Sequence, residues 1–259
     1  PSAAAAEEQA GKALLDLLDL PRESSVGFVT GATMANFTCL AAARGEVLRR
    51  AGWDVEADGL FGAPPITVIL GEEAHSTVFA VIKYLGLGAQ RVVKVDVDRN
   101  GAMIPAAFAD AIARASGPII VIAQAGQINT GAFDPFVAIA QAVGAKGGWL
   151  HIDGAFGLWA RATKTHRHLG EGLELADSWA VDGPMGNILP EVTWIQPLPD
   201  RLVRCSVADP ADVAEGRDSV RLAFIAALQH LPARQRAALI LCEVLRWPAV
   251  DVADLLDTS

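Results

Sequence analysis

The run PIIVIAQ at residues 118–124 decides the fold of this chain. Five consecutive apolar residues, four of them Ile or Val, leave no alternation between a core face and a solvent face. Such a run predicts a strand that is buried on both faces, which is typical of a parallel sheet covered by helices. Similar runs occur at VGFVT (26–30), ITVIL (66–70), RVVKVDV (91–97) and GWLHID (148–153), and DSWAVDG (177–183) would supply one further strand.

Helical patterns fill the intervals between these runs, at residues 34–50, 77–85, 106–115 and 136–143. Because strands and helices alternate along the chain, the sequence predicts an α/β domain with a doubly wound, mainly parallel sheet.

The sequence pattern changes after Gly183. The segment 184–216 contains five prolines and no apolar periodicity, which predicts a linker, and the pattern from 217 to 259 is helical. The predicted organisation is an α/β domain over 1–183, a linker over 184–216 and a small all-α segment over 217–259.

The composition narrows the class of protein. The chain has 259 residues, 52% of them hydrophobic, and a formal net charge of -9. These values exclude a disordered protein and argue against one that coats nucleic acid or an anionic membrane. The three cysteines (Cys39, Cys205 and Cys242) form no CxxC pair, so we predict reduced thiols and no metal site. No signal peptide and no apolar run of membrane-spanning length is found, so the expected location is the cytoplasm.

Turns at the carboxyl ends of the predicted strands carry the polar residues that could act chemically. In TGATMANF (30–37) small residues open a helix, whose N-terminal N–H groups favour an anion. His75 occupies a strand-to-helix turn, and AQAGQINTGAFDP (123–135) forms another turn at the same edge. Asp153 ends a strand in HIDGAFG (151–157), and a buried carboxylate requires a partner. A cationic ring nitrogen, an arginine or a helix N-terminus would each satisfy it, and each motif alone also occurs in turns that bind nothing.

Five motifs in this order resemble those of one family. T-G-A-T-x-A-N, H-S-T, N-T-G-A-F-D-P, H-I-D-G-A-F-G and A-D-S-W-A-V-D-G are similar to motifs of the pyridoxal-phosphate-dependent group II amino-acid decarboxylases. The resemblance covers residues 1–183 and implies an incomplete large domain of fold type I, a carboxy-lyase that acts on an amino acid, and a homodimer. It also leads us to expect that the remaining large-domain strand, the small domain and the N-terminal dimer segment of the family are missing.

The resemblance implies cofactor contacts for seven residues, which are Ala32, Thr33, His75, Asn129, Thr130, Asp153 and Ala155. The first two match the loop around the cofactor phosphate, and His75 matches the histidine stacked on the pyridine ring. Asp153 matches the aspartate paired with the protonated ring nitrogen. Ala155 matches the small residue under the other face of the ring, and the pair at 129–130 matches a loop that lines the cofactor.

The lysine that binds the cofactor covalently in that family is absent from the matching position. It follows DSW-x-x-D-x-H, in a His-Lys pair directly after the residue that matches position 183. Here Pro184 and Met185 fill those two positions, and a thioether cannot replace the amine. All five lysines precede this point: Lys12, Lys83, Lys94, Lys146 and Lys164. We therefore expect no catalytic residue at 185, an inactive decarboxylase, and at best residual, non-covalent binding of pyridoxal phosphate.

A second resemblance begins where the first ends. The stretch LQHLPARQRAALIL (228–241) is similar to region 4 of extracytoplasmic-function sigma factors, and the resemblance extends over residues 187–259. It implies a helix-turn-helix for transcription initiation and contact with RNA polymerase. The sequence stops at LLDTS, ahead of the expected recognition helix, and residues 184–259 carry seven Arg against ten Asp or Glu. We therefore expect no specific DNA binding.

Three interpretations of the whole chain stay open, and whether it is an enzyme stays open with them. The first is a decarboxylase-like domain that keeps part of a cofactor site. The second is a transcription module that contacts RNA polymerase through 217–259, with the first part as a carrier. The third is a composite or pseudogene-like chain without selected activity, joined at 183–187. We favour the first because it describes 183 of the 259 residues.

Overall fold

The computed structural model describes residues 2–182. The predicted linker, the predicted all-α segment and Met185 lie outside these residues. Within them, five parallel strands form one sheet in the order β2-β1-β3-β4-β5. The strands are β1 (Thr67–Gly71), β2 (Val93–Val95), β3 (Ile119–Gln124), β4 (Trp149–Asp153) and β5 (Ser178–Ala180). The prediction of an α/β fold with a mainly parallel sheet is confirmed.

Helices cover both faces of this sheet. They are α1 (Ser2–Leu17), α2 (Ala32–Arg50), α3 (Val55–Asp58), α4 (Ser76–Tyr84), α5 (Pro105–Arg114) and α6 (Phe136–Ala145). Side chains of β3 alternate between two cores: Ile120 contributes to the core under α2 and α4, and Val121 contributes to the core under α5 and α6. Both side chains are fully buried. The continuous apolar run at 118–124 is therefore explained by burial on both faces. Among the described helices, none is long and apolar enough to cross a membrane.

The prediction of a strand at residues 26–30 is wrong. This segment runs as irregular chain towards the start of α2, and it pairs with no strand of the described part. Val26, Phe28 and Val29 are between 39% and 45% exposed. The segment instead lies along α1, where a Cβ atom added to Gly11 would stand 3.1 Å from the Cβ of Val26. An apolar run forms a strand only where a neighbouring strand offers its backbone groups, and none does so here.

A buried arginine ties the end of α1 to the chain that follows β4. Arg161 is 8% exposed, and its Nη2 donates to the carbonyl oxygen of Asp19 (2.9 Å) and to the carboxylate of the same residue (2.8 Å). Its Nη1 donates to the carbonyl oxygen of Gly170 and lies 3.1 Å from a carboxylate oxygen of Glu174. These partners compensate for the burial of the guanidinium charge.

Candidate functional site

The carboxyl edge of the sheet collects the polar residues that the sequence singles out. His75 follows β1 and starts α4, Gln124 ends β3, and Asp153 ends β4. Gln124 and Asp153 are register partners in neighbouring strands. Because all strands are parallel, their carboxyl ends open on the same side, where ligands bind in doubly wound folds.

A cavity of about 270 Å³ lies at this edge, and the residues that line it come from α2, the start of α4, the ends of β3 and β4, and the chain that follows β3, β4 and β5. They are Ala32, Thr33, Asn36, His75, Thr77, Gln124, Gly126, Ile128, Asp153, Ala155, Phe156 and Asp182. Five of the seven predicted site residues are among them: Ala32, Thr33, His75, Asp153 and Ala155. The structure therefore brings together residues that are up to 123 positions apart (155 − 32) in the sequence.

Asn129 and Thr130 do not line the cavity, although Ile128 of the same loop does. Both are exposed. The buried side chain of Gln127 fixes this loop, because its Oε1 accepts from the backbone N–H groups of Asn129 (2.6 Å) and Thr130 (3.0 Å). The hydroxyl of Thr130 donates to the carbonyl oxygen of Asn100 and so anchors the loop to a neighbouring turn.

Asp153 is the buried acid of the cavity, at 5% exposure. Burial raises the pKa of its carboxyl above the ordinary value of 3.8, because the charged form loses its hydration. Three neighbours act in the opposite direction: the side-chain amide of Asn36, the backbone N–H of Ala155 at 3.4 Å, and the imidazole of His75. The Asn36 amide is close enough to lower the pKa of Asp153, although its Nδ2 makes no hydrogen bond of normal geometry within the described residues.

His75 forms part of the wall and also starts a helix. Its Nδ1 accepts from the backbone N–H of Thr77 at 3.4 Å and lies 2.8 Å from the hydroxyl oxygen of that residue. With Nδ1 accepting this bond, Nε2 is the ring nitrogen that carries the proton. The capping bond fixes the ring at the edge of the cavity.

The N-terminus of α2 opens onto the same cavity through Ala32 and Thr33. No side chain of the described residues caps it, and Gly31 stands at the capping position with φ 139° and ψ 172°. Residues with a Cβ rarely adopt this conformation, so the glycine permits the turn. The first backbone N–H groups of a helix of 19 residues carry partial positive charge that suits an anion.

None of the five lysines is among the residues that line this cavity, and all five lie within the described part of the chain. Lys12 pairs with Glu8, and Lys146 donates to carbonyl oxygens at the end of α5. The ammonium of Lys94 lies 5.2 Å from the centre of the Phe79 ring. The cavity of the described residues therefore contains no primary amine.

Sequence reasoning missed several lining residues, in particular Asn36, Thr77, Gln124 and Asp182. All four stand inside motifs that the sequence analysis uses, namely Asn36 in TGATMANF, Thr77 in H-S-T, Gln124 in AQAGQINTGAFDP and Asp182 in A-D-S-W-A-V-D-G. Strand periodicity gave a further signal: residues two apart on a strand share a face, so His151 lies on the same face of β4 as Asp153.

A cavity at the carboxyl edge of a doubly wound sheet, with a buried aspartate and an open helix N-terminus, defines a ligand-binding α/β domain. The family model "Pyridoxal-dependent decarboxylase conserved domain" matches residues 1–196, and the chain belongs to this family. A second model, "Sigma-70, region 4", matches residues 221–259. Both resemblances predicted from the sequence are thereby confirmed, and pyridoxal phosphate is the cofactor that the decarboxylase family implies.

Individual relatives agree with the two models. Cysteine sulfinic acid decarboxylase of Rattus norvegicus is 38% identical over 131 residues, which cover 49% of this chain and 27% of the relative. The crystal structure of mouse CSAD in apo form matches with a TM-score of 0.62 and 34% identity, covering 69% of this chain and 37% of that one. The ECF RNA polymerase sigma factor SigG of Mycobacterium tuberculosis is 55% identical over 69 residues, or 27% of this chain and 18% of the relative. The chain thus spans less than two fifths of each of these proteins.

Proposed function

We propose that residues 1–183 form a domain that holds pyridoxal phosphate without a covalent bond and does not decarboxylate amino acids. One observation carries this proposal: Ala32, Thr33, His75, Asp153 and Ala155 line one cavity, whereas none of the five lysines, all within the described part, does. The sequence position that matches the lysine of the family holds Met185.

The chemistry of the lining residues fits a phosphorylated pyridine ring. A carboxylate at 5% exposure requires a cationic or donor partner, and a ring N–H would supply one. The uncapped N-terminus of α2 offers backbone N–H groups to a phosphate. The buried Nδ2 of Asn36, which has no hydrogen-bond partner among residues 2–182, marks a polar position beside Asp153 rather than a packed core.

Each of these residues would have a separate task in holding the cofactor. Thr33 and the α2 backbone would bind the phosphate, His75 would cover one face of the ring, and Ala155 would leave room at the other. Asp153 would keep the ring nitrogen protonated, a state in which the bound cofactor supplies an electron sink. The loop with Asn129 and Thr130 would cover the cofactor from the side.

Loss of the amine removes two functions at once. A lysine in this position would anchor the cofactor and transfer a proton, and the thioether of Met185 does neither. Among the described residues that line the cavity, His75 is held in place by its contact with Thr77. Asp153 is held in place by its burial. Neither side chain therefore replaces the amine. We therefore expect binding that dialysis reverses and no release of CO₂ from amino acids.

The test is a titration of the full chain with pyridoxamine 5′-phosphate, which has no aldehyde and reacts with no lysine. We expect measurable binding to the wild type and about tenfold weaker binding to Thr33→Ala, because one hydrogen bond to a charged phosphate is lost. Thr38→Ala is the matched control: Thr38 is in the same helix, is exposed, and bonds only the carbonyl oxygen of Met34 among the described residues. Equal affinities of Thr33→Ala and the wild type would contradict the assignment of this loop.

We infer a second function for the C-terminal part, a contact with RNA polymerase through residues 217–259. The support is the match to sigma-70 region 4 at 221–259 and the 55% identity to a sigma factor over 69 residues. Residues 184–259 carry seven Arg and ten Asp or Glu, and this balance disfavours binding to DNA phosphates. Co-purification of RNA polymerase with the tagged chain tests the contact. We expect no specific binding to DNA. A gel shift in which the chain binds a promoter duplex but not a scrambled duplex at physiological salt would contradict this expectation.

A further inference from the structure

A chain of hydrogen bonds lies behind the cavity, between β4, β5 and α2. Trp149 Nε1 donates to Ser178 Oγ at 2.9 Å, and this hydroxyl lies 2.9 Å from His151 Nδ1. His151 Nε2 lies 2.8 Å from Oδ1 of Asn36. His151 is completely buried and Asn36 is 1% exposed, so water does not compete for these bonds. Of the four residues, Asn36 is the one that lines the cavity.

The two ends of this hydrogen-bond network have fixed roles, because the indole N–H of Trp149 can only donate and the amide oxygen of Asn36 can only accept. The indole N–H of Trp149 can only donate, so Ser178 Oγ accepts from it and uses its own proton elsewhere. Burial lowers the pKa of His151 to about 3, so its ring is neutral and carries one proton. Because Oδ1 of Asn36 can only accept, that proton is on Nε2, and Nδ1 accepts from the hydroxyl of Ser178.

This direction leaves the amide nitrogen of Asn36 as a donor on the side of Asp153. Nδ2 is buried and has no hydrogen-bond partner within the described residues. The opposite orientation of the amide would turn its oxygen towards a carboxylate, which is repulsive when the acid is ionised. The hydrogen-bonded ring of His151 therefore selects the orientation of the amide.

We propose that Asn36 is a positioning residue, which His151 orients so that its amide nitrogen holds the Asp153 carboxylate in the ionised form and directs it at the ring nitrogen of bound pyridoxal phosphate. The inference rests on the proposed function, because it assigns the carboxylate a ring nitrogen as partner. His75 and Asp182 also line the cavity, and the backbone N–H of Ala155 also reaches Asp153. The variants below leave His75, Asp182 and Ala155 unchanged. The difference between Asn36→Leu and the wild type therefore reports the effect of Asn36 on the carboxylate.

The first measurement follows the carboxyl carbon of Asp153 by ¹³C NMR as the pH of the full, ligand-free chain is varied. In Asn36→Leu the pKa of Asp153 should be higher than in the wild type, because burial then acts with one opposing donor fewer. Leu40→Ala is the control: Leu40 is fully buried on the same helix, away from the cavity, so this variant loses stability but keeps the Asp153 titration. Ser178→Ala removes the hydroxyl that donates to His151, and it should also raise the pKa of Asp153. This variant replaces Asn36→Leu in the experiment if Asn36→Leu does not fold.

The second measurement uses pyridoxamine 5′-phosphate labelled with ¹⁵N in the ring. We expect a protonated ring nitrogen on the wild type, and about tenfold weaker binding with a loss of ring protonation in Asn36→Leu. If the ligand fails to bind the wild type while Asn36→Leu still raises the pKa of Asp153, the proposed function is wrong and the orienting role of Asn36 stands without a cofactor. If the ligand binds and the titration of Asp153 is the same in both proteins, the inference about Asn36 is overturned.

Discussion

Gly157 lies so close to Ala125 that a Cβ atom added to it would stand 2.5 Å from both the carbonyl carbon and the carbonyl oxygen of Ala125. The backbone N–H of Gly157 donates to that oxygen at 3.1 Å. The contact fastens the loop after β4 to the loop after β3, and both loops line the cavity. The last glycine of HIDGAFG is therefore required by the close approach of two backbones.

Gly157→Ala should destabilise the domain by about 2–3 kcal/mol, because the methyl group forces the two loops apart. Urea denaturation followed by circular dichroism measures the change. Gly144→Ala is the matched control, since Gly144 lies in α6 and an added Cβ meets no atom within 4 Å. The control should be about 0.5–1 kcal/mol more stable than the wild type. Similar stabilities of the two variants would refute the role of the close contact.

Asp153→Asn should weaken the binding of pyridoxamine 5′-phosphate by at least about tenfold, because the amide carries no charge to balance a protonated ring nitrogen. Fluorescence titration of the ligand gives the affinity. Asp110→Asn makes the same chemical change at an exposed position of α5 and should leave the affinity unchanged. Wild-type affinity in Asp153→Asn would remove the carboxylate from the proposed site.

His151 should make the stability of the domain depend on pH. Its pKa is about 3 in the folded chain, because burial disfavours the charged ring, against an ordinary value of 6.5. The unfolded chain therefore binds one more proton between these values, and the free energy of unfolding falls as the pH decreases below 6.5. Between pH 7.5 and pH 5.5 this group should contribute a loss of about 1.4 kcal/mol.

Comparison with His151→Gln isolates this contribution, since Asp134 acts in the opposite sense. Burial raises the pKa of Asp134 to about 6, so its effect on stability is favourable at low pH and is lost as the pH rises through that value. The difference in stability between the wild type and His151→Gln should shrink by about 1.4 kcal/mol on going from pH 7.5 to pH 5.5. A difference that is constant with pH would mean that His151 does not titrate on unfolding.

Borohydride reduction of the chain in the presence of pyridoxal phosphate should mark no single lysine in high yield, because none of the five lies at the cavity. Peptide mapping of the reduced protein locates any pyridoxyl group. Low, scattered labelling of exposed lysines is the expected background. High-yield labelling of one lysine would identify an amine at the cofactor and would contradict the proposed loss of the covalent anchor.

Limited proteolysis should cleave the chain early between Arg201 and Arg217. The segment 184–216 contains five prolines, which remove backbone donors and interrupt regular structure. The two family models leave residues 197–220 unmatched, which overlaps this segment only in part. Mass spectrometry of the first fragments gives the cleavage sites. A chain that resists cleavage there and unfolds in one transition would indicate a single domain.

The parts of the fold that could be predicted are those where burial on both sides leaves a strong pattern. β3 and β4 were predicted within a residue of their bounds, and the helices between the strands also follow the predicted positions. The segment 26–30 has the same apolar pattern, but pairing depends on a neighbouring strand that local sequence does not encode. α1 was not among the predicted helices, although its Ala-rich sequence favours a helix locally.

The site followed the same rule. Asp153 was singled out because it ends an apolar strand, and His75 because it occupies the strand-to-helix turn between β1 and α4. Asn36 and His151 stand in motifs that were already of interest, but their roles depend on a contact 115 positions long. No spacing rule connects an asparagine in a helix to a histidine in a strand. Long-range side-chain contacts of this kind are what the sequence alone leaves out.

The hydrogen bonds of Arg161 can form only late in the synthesis of the chain. Asp19 and Arg161 are separated by 142 positions, so α1 leaves the ribosome well before its partner exists. At about 5–20 residues per second the delay is roughly 7–28 s. A helix of 16 residues is marginal on its own in water, and the apolar side chains of Leu15 and Leu18 have no core to enter in that interval. The segment around α1 therefore stays without these core contacts until residues beyond 161 emerge.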